Sequence, residues 1–231
     1  MYLLTIYLSW IASTCAAPLP AAMKAGMGDS VPSTLEGKGL RPEHIAIPLT
    51  ALAYGCLKPL TPVIGRLDNR VWDRLSATAP GNGYSPETLL QWTPIASVYL
   101  MDAAGLPLRH RFRQHLALDI GSLALAGGAG WVMRRISEGI PTFGLKPGTQ
   151  FPSGHATNAF RAAEMFRQEW KLRSPWVGWS GYVIAGCVSY LRMRHGEHQL
   201  SEVLAGAGLG VLSTRSVYWL KDRIERRRIG N

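Results

Sequence analysis

Two short stretches of the chain hold residues whose types and spacing could handle a phosphorylated group. In the first, F-P-S-G-H from Phe151 to His155, Pro and Ser precede a run through Ala156, Phe160, Ala163 and Phe166 that has helical spacing. Free amides at such a helix start, around Ser153 and Gly154, suit phosphate oxygens, because the backbone N–H groups and the helix dipole both favour an anion there. Gly154 lets the anion approach the backbone, and His155 then faces the leaving group. Read without its context, the same stretch is an ordinary N-cap with a histidine beside it.

The second stretch, R-M-R-H-G-E-H-Q-L-S-E from Arg192 to Glu202, leads directly into the apolar run V-L-A-G-A-G-L-G-V-L. His198 and Glu202 are four apart, so a helix beginning near His198 places both on one face. Glu202 can then accept one imidazole N–H and leave the other ring nitrogen as a lone-pair nucleophile. Arg192 offers a planar fork for two phosphate oxygens. His195 and Glu197, nearer the loop tip, are expected to be solvent-exposed.

The elements that position these residues are helices. Apolar segments at Ile45 to Leu60, Leu89 to Leu106, Leu116 to Met133, Trp176 to Leu191 and Val203 to Leu220 are bounded by charge, Gly or Pro. No alternating strand pattern or internal repeat competes with them. Several fall short of the roughly 20 apolar residues a membrane crossing needs, and Asp119 interrupts one. The helix from His155 to Trp170 carries Arg161, Glu164, Arg167 and Glu169, so it needs shelter within a bundle or a water-filled site. Residues 1–17 form an apolar run ending in small residues, expected to be a signal peptide or an uncleaved first membrane helix. Residues 18–39, rich in Pro, Gly, Ser and Ala, form a linker, and residues 40–231 form one helical domain.

Hydrophobic residues make up 47% of the 231 and charged residues 17%, a balance shifted toward lipid contact. The net charge of +10 suits anionic lipid or a phosphorylated substrate. Nucleic acid is the weakest partner class, since there is no helix-turn-helix spacing, zinc ligand set or aromatic RNA-binding strand. Cys15, Cys56 and Cys187 are widely separated and suggest neither a disulfide framework nor a metal or redox pair. Basic clusters at Arg109, Arg111 and Arg113, at Arg167, Lys171 and Arg173, and at Lys221 to Arg228 share one side if the positive-inside rule applies. The loops around residues 134–155 and 192–202, which hold the two motifs, then face outward.

Together, P-S-G-H and R-x5-H-x3-E, separated by a few dozen residues of helical sequence, closely resemble the second and third signature motifs of the type 2 phosphatidic acid phosphatase superfamily. That superfamily also includes bacterial acid phosphatases and vanadium haloperoxidases, and the resemblance spans roughly residues 90 to 220. It implies an all-α helical bundle, membrane-embedded, with the active site between helices at the outer face. It further implies hydrolysis of a phosphate ester or diphosphate, on a lipid phosphate or small phosphate ester, through a phosphohistidine on His198. His155 would be the general acid, Glu202 the orienting carboxylate, Arg192 a phosphate ligand, and no cofactor or metal would be required. The expected location is a bacterial inner membrane with the site facing the periplasm, or the periplasm itself after signal cleavage.

The chain departs from the family pattern in three places. Leu191 replaces the serine of the third motif, Glu202 its aspartate, and an alignment on Pro141 places Met133 and Ile140 where the first motif has lysine and arginine. Arg134, Arg135 or Lys146 could restore the missing charge. The alternatives are a vanadate-dependent haloperoxidase, or a degenerate relative that binds phosphorylated lipid or serves as a membrane component without turnover.

Overall fold

Pro and Gly punctuation delimits most of the helices. The structure is a computed structural model describing residues 42–76, 85–106, 108–171 and 174–229, so the expected leader and linker lie outside the described residues. Eight α-helices and no strand occur among the described residues: α1 Pro42–Cys56, α2 Pro62–Ser76, α3 Glu87–Leu90, α4 Thr93–Ala103, α5 Phe112–Glu138, α6 Gly154–Trp170, α7 Pro175–Arg194 and α8 Leu200–Ile229. Proline stands in the first turn of α1, α2, α4 and α7, where its missing N–H costs nothing and its fixed φ suits the helix.

The expected segment at Leu89 to Leu106 divides into α3 and α4 at Gln91 and Trp92, with Pro94 opening the second helix. Sequence reading passed over α2 altogether. Its P-V-I-G-R-L-D-N-R-V-W-D-R-L-S stretch alternates charge with apolar residues and lacks the apolar run by which the other helices were recognised.

The charged helix α6 occupies the centre of the bundle, contacted by α4, α5, α7 and α8. Ala159, Ala163, Ala185 and Val188 form the α6–α7 seam. Ile95, Leu118, Ala162, Met165 and Tyr218 join α4, α5 and α8 to its other faces. Each charge foreseen to need shelter has found a partner. Arg161 pairs with Asp119, the residue that interrupts the apolar run of α5, and with Asn158 and Ser122. Glu164 accepts from Arg167, Arg215, Gln168 and Tyr182.

The small-residue run of α8 has a steric purpose. A Cβ on Gly206 would lie 2.6 Å from the Ser153 carbonyl oxygen, and one on Gly210 would lie 2.3 Å from that of Thr157. These two glycines, four apart, let the α8 backbone rest directly on the first turns of α6. One turn earlier on α8 is Glu202, so this contact brings the two motifs together.

Among the described residues, α5 is the one helix both long and apolar enough to cross a membrane. It exposes Leu116, Ile120, Leu123, Leu125, Trp131, Val132 and Ile136. The Arg109–Asp222 and His110–Glu169 pairs place the start of α5 beside the ends of α6 and α8. The end of α5 accordingly lies with the start of α6.

Gly210→Ala drives a methyl group into a backbone carbonyl that cannot yield without moving α6. Thermal unfolding in detergent should show a loss of about 1–3 kcal/mol, and an unchanged melting temperature would disprove backbone contact at this position.

Candidate active site

The R-x5-H spacing is the length of a helix ending. At the end of α7 the Gly196 amide donates to the Met193 carbonyl (3.1 Å) and the Glu197 amide to that of Arg192 (3.1 Å). This is a Schellman closure, and it requires Gly196 in the left-handed region at φ 67°. Arg192 therefore sits on the last turn of α7, and His198 lies just beyond the closure.

His198 stands two residues before α8, which begins at Leu200. Glu202, in the first turn, reaches back in the manner of a capping-box glutamate. Its Oε2 accepts from the Gln199 amide (3.2 Å) and from His198 Nδ1 (2.8 Å). Its Oε1 lies 2.9 Å from Thr149 Oγ1. The charged carboxylate draws the single Thr149 hydrogen in preference to the neutral Lys146 carbonyl at 3.0 Å. With Nδ1–H donating to Glu202, His198 keeps Nε2 as its lone-pair atom, and the ring lines a cavity of about 440 Å³.

Two residues absent from the motifs steady this turn. Asp68 on α2 accepts from the Ser201 amide (3.0 Å) and hydroxyl, supplying the start of α8 with a cap from another helix. Lys58 lies 3.2 Å from Asp68 and donates to Gln199 Oε1 at 2.6 Å. Neither signal was visible in sequence, because the partners stand 133 and 141 residues from the groups they hold.

Across the cavity is His155, in the first turn of α6, level with Arg134 at the charged end of α5. Burial, then the neighbouring Arg192 guanidinium and the His198 imidazole, hold its imidazole below the usual range. Near neutral pH it is consequently uncharged, and the negative charge of a bound phosphate would oppose that shift. Ser153 caps α6 through its side chain and is fully buried. Its amide, expected to bind phosphate, instead donates to the Glu202 carbonyl at 3.0 Å. Anion contact is left to Gly154 and His155, which both line the cavity.

Arg134 and Arg135 separate cleanly. Arg134 lines the cavity, and its buried Nε has no hydrogen-bond partner. Arg135 is 67% exposed, lies 3.6 Å from Glu138, and stacks over Trp131; the structure does not bring it to the site. Lys146 rests over the Trp72 ring. Arg192 also lines the cavity with a buried, unpartnered Nε, while its Nη1 pairs with Glu197 and lies 3.8 Å from Glu87. The expected solvent exposure of His195 does not hold, since its Nδ1 is 2.9 Å from the fully buried Glu87. Glu197, expected as a solvated loop charge, holds Arg192.

A second, mostly apolar cavity of about 530 Å³ adjoins the first and shares Arg134, Gly154 and His155 with it. Its walls include Leu123, Ala126, Gly127, Gly130 and Trp131 of α5.

The family model described as PAP2 superfamily matches residues 111–226, half of the chain. Over 146 residues the chain is 33% identical to a lipid A 1-phosphatase of Porphyromonas gingivalis, covering 61% of this chain and 32% of that protein. The chain thus spans about a third of that relative's length. The crystal structure of a transmembrane PAP2 type phosphatidylglycerolphosphate phosphatase from Bacillus subtilis superposes with a TM-score of 0.53 at 19% identity, over 77% of this chain and 97% of that one. That likeness is one of fold.

Two substitutions test the geometry. Glu202→Gln removes the charge facing His198 Nδ1 and should lower phosphate release by at least about 10²-fold; a wild-type rate would show that the carboxylate charge is irrelevant. Arg134→Ala should lower kcat by about 10²-fold while Arg135→Ala leaves it unchanged, and equal effects of the two would remove Arg134 from the site.

Proposed function

Since this chain belongs to the PAP2 superfamily, we propose that it hydrolyses a phosphate monoester or diphosphate carried on a membrane lipid, through a covalent phosphohistidine. The observation that carries this reading is the pair of histidines lining one cavity, His198 oriented by Glu202, with Arg192 and Arg134 beside them.

In the first step the Nε2 lone pair of His198 attacks phosphorus. The bond to the leaving oxygen breaks, and that oxygen takes a proton from His155 in its protonated form. In the second step water attacks the phosphohistidine and gives a proton to His155. The N–P bond breaks, its electron pair returns to Nε2, and phosphate departs. Arg192, Arg134 and the amides of Gly154 and His155 hold the non-bridging oxygens, so most of the catalysis is charge positioning.

The lipid part of the reading rests on the apolar cavity, which continues from the site along α5. An acyl chain lying against Leu123, Gly127 and Gly130 would leave its phosphate beside Arg134 and His155. The relatives' names point to the same substrate class, one a lipid A 1-phosphatase and the other a phosphatidylglycerolphosphate phosphatase. We place the protein in a membrane, with α5 crossing it. The basic end near Arg109, Arg111 and Lys171 lies on the inner side and the catalytic cavity opens outward, in accord with the positive-inside rule.

A second reading is favoured by one observation. Glu197 and Glu87 already pair with Arg192, as would suit a protein that binds phosphorylated lipid without turning it over. Phosphate release from a panel of phospholipid monoesters, polyprenyl diphosphate and lipid A, by purified protein in detergent, separates the two. Turnover abolished by His198→Ala is expected. Lipid binding without release would establish the second reading, and release that survives His198→Ala would end the phosphohistidine mechanism.

A further inference from the structure

At the end of the bundle opposite the catalytic cavity, three buried side chains converge. His110 Nδ1 lies 2.8 Å from Glu169 Oε1, and His115 Nε2 lies 3.0 Å from Glu169 Oε2. The two imidazole rings stand nearly perpendicular, 85° apart. The donor atoms of all three residues lie within 4.8 Å of one another. The same carboxylate also accepts from the Tyr218 hydroxyl at 2.5 Å and from the His110 amide at 3.1 Å.

The far side of His115 supplies an independent observation. Its Nδ1 faces Asp102 Oδ2 at 3.4 Å, and both atoms are buried with no hydrogen-bond partner. Without a metal, His115 either turns a bare Nδ1 lone pair on the Asp102 carboxylate or must carry a buried positive charge between Asp102 and Glu169. With Nε2 bound to a cation, the proton moves to Nδ1 and points at Asp102. That is the carboxylate–histidine–metal relay, in which the outer carboxylate sets the tautomer and raises the ligand's basicity.

We propose that His110, His115 and Glu169 form a structural site for a divalent transition-metal ion of the zinc class, with Asp102 and Tyr218 as its outer hydrogen-bonding partners. Two imidazoles and one carboxylate suit zinc, whose N and O ligands lie at about 2.0–2.2 Å, and do not suit the all-oxygen preference of magnesium or calcium. Glu169 and Asp102 bring two negative charges into a buried region, and a divalent cation cancels both when the imidazoles are neutral. His110 stands just before α5 and His115 in its first turn, Glu169 at the end of α6, Asp102 in α4 and Tyr218 in α8. An ion here ties four helices together at the end of the molecule remote from His155 and His198.

The test uses tag-free, full-length protein in detergent, stripped with chelator and titrated with cobalt(II) as a visible probe. Zinc content and melting temperature with and without added zinc are measured alongside. The expected result is one ion per chain, visible d–d absorption with cobalt, and a higher melting temperature with zinc. All three should be lost in His110→Ala and in His115→Ala. Asp102→Asn keeps every ligand and should weaken binding by about 10–100-fold, so it carries the test if a ligand variant fails to fold. His195→Ala removes a member of the other His/Glu group, formed with Glu87 and Glu197, and should leave cobalt binding intact. Wild-type protein with neither bound metal nor a zinc-dependent melting shift overturns the proposal, as does cobalt binding that survives His115→Ala or disappears with His195→Ala.

Discussion

The structure depends on burying a charged helix. α6 carries Arg161, Glu164, Arg167 and Glu169 through the middle of the bundle, and Arg161, Glu164 and Glu169 are almost wholly withdrawn from solvent. A buried charge deprived of its partner costs about 3–5 kcal/mol, so the neighbouring helices must present matching groups at matching heights. Asp119 of α5 meets Arg161, Arg215 of α8 and Tyr182 of α7 meet Glu164, and Tyr218 of α8 meets Glu169. These pairings set the register of three helices against one. Apolar packing alone, being non-directional, would tolerate slippage that these hydrogen bonds do not.

Once the registers are set, helix termini meet at one end of the bundle, and the geometry of the proposed active site is made of their capping chemistry. Ser153 caps α6, Glu202 caps α8 from within, Asp68 caps α8 from α2, and Gly196 closes α7. Orienting the proposed nucleophile and ending a helix are therefore the same set of bonds. Glu202 illustrates this: one carboxylate joins the α8 start to His198 and to Thr149 in the loop before α6. The replacement of the family's aspartate by glutamate is accommodated because a glutamate in the first turn has the length to fold back to the helix's own first amide.

The missing cations of the first motif are answered in part. Arg134, one residue beyond Met133, enters the cavity from the end of α5 with an uncommitted Nε. One planar guanidinium offers several donors in a fixed fork, so it can contact more than one phosphate oxygen where an ammonium acts as a point charge. Arg135, one helical step further round, points to solvent and spends its charge on Glu138.

The sequence by itself determined the locally encoded features. Apolar runs ended by Pro and Gly marked most of the helices, P-S-G-H marked a helix start, and R-x5-H-x3-E marked a helix end, a turn and the next helix start. All of these rest on backbone bonds between residues a few positions apart, which short-range residue types specify. Tertiary structure decided the rest: that α2 exists as the support of α8, that the Ser153 amide is committed to Glu202, that Arg134 rather than Arg135 enters the site, and that Thr149, Lys58, Asp68 and Glu87 belong to its surroundings. The relevant contacts join residues 49 to 141 positions apart. No local pattern encodes such a pairing, because which side chain meets which is set only when the charges of α6 have chosen the heights of the helices around it.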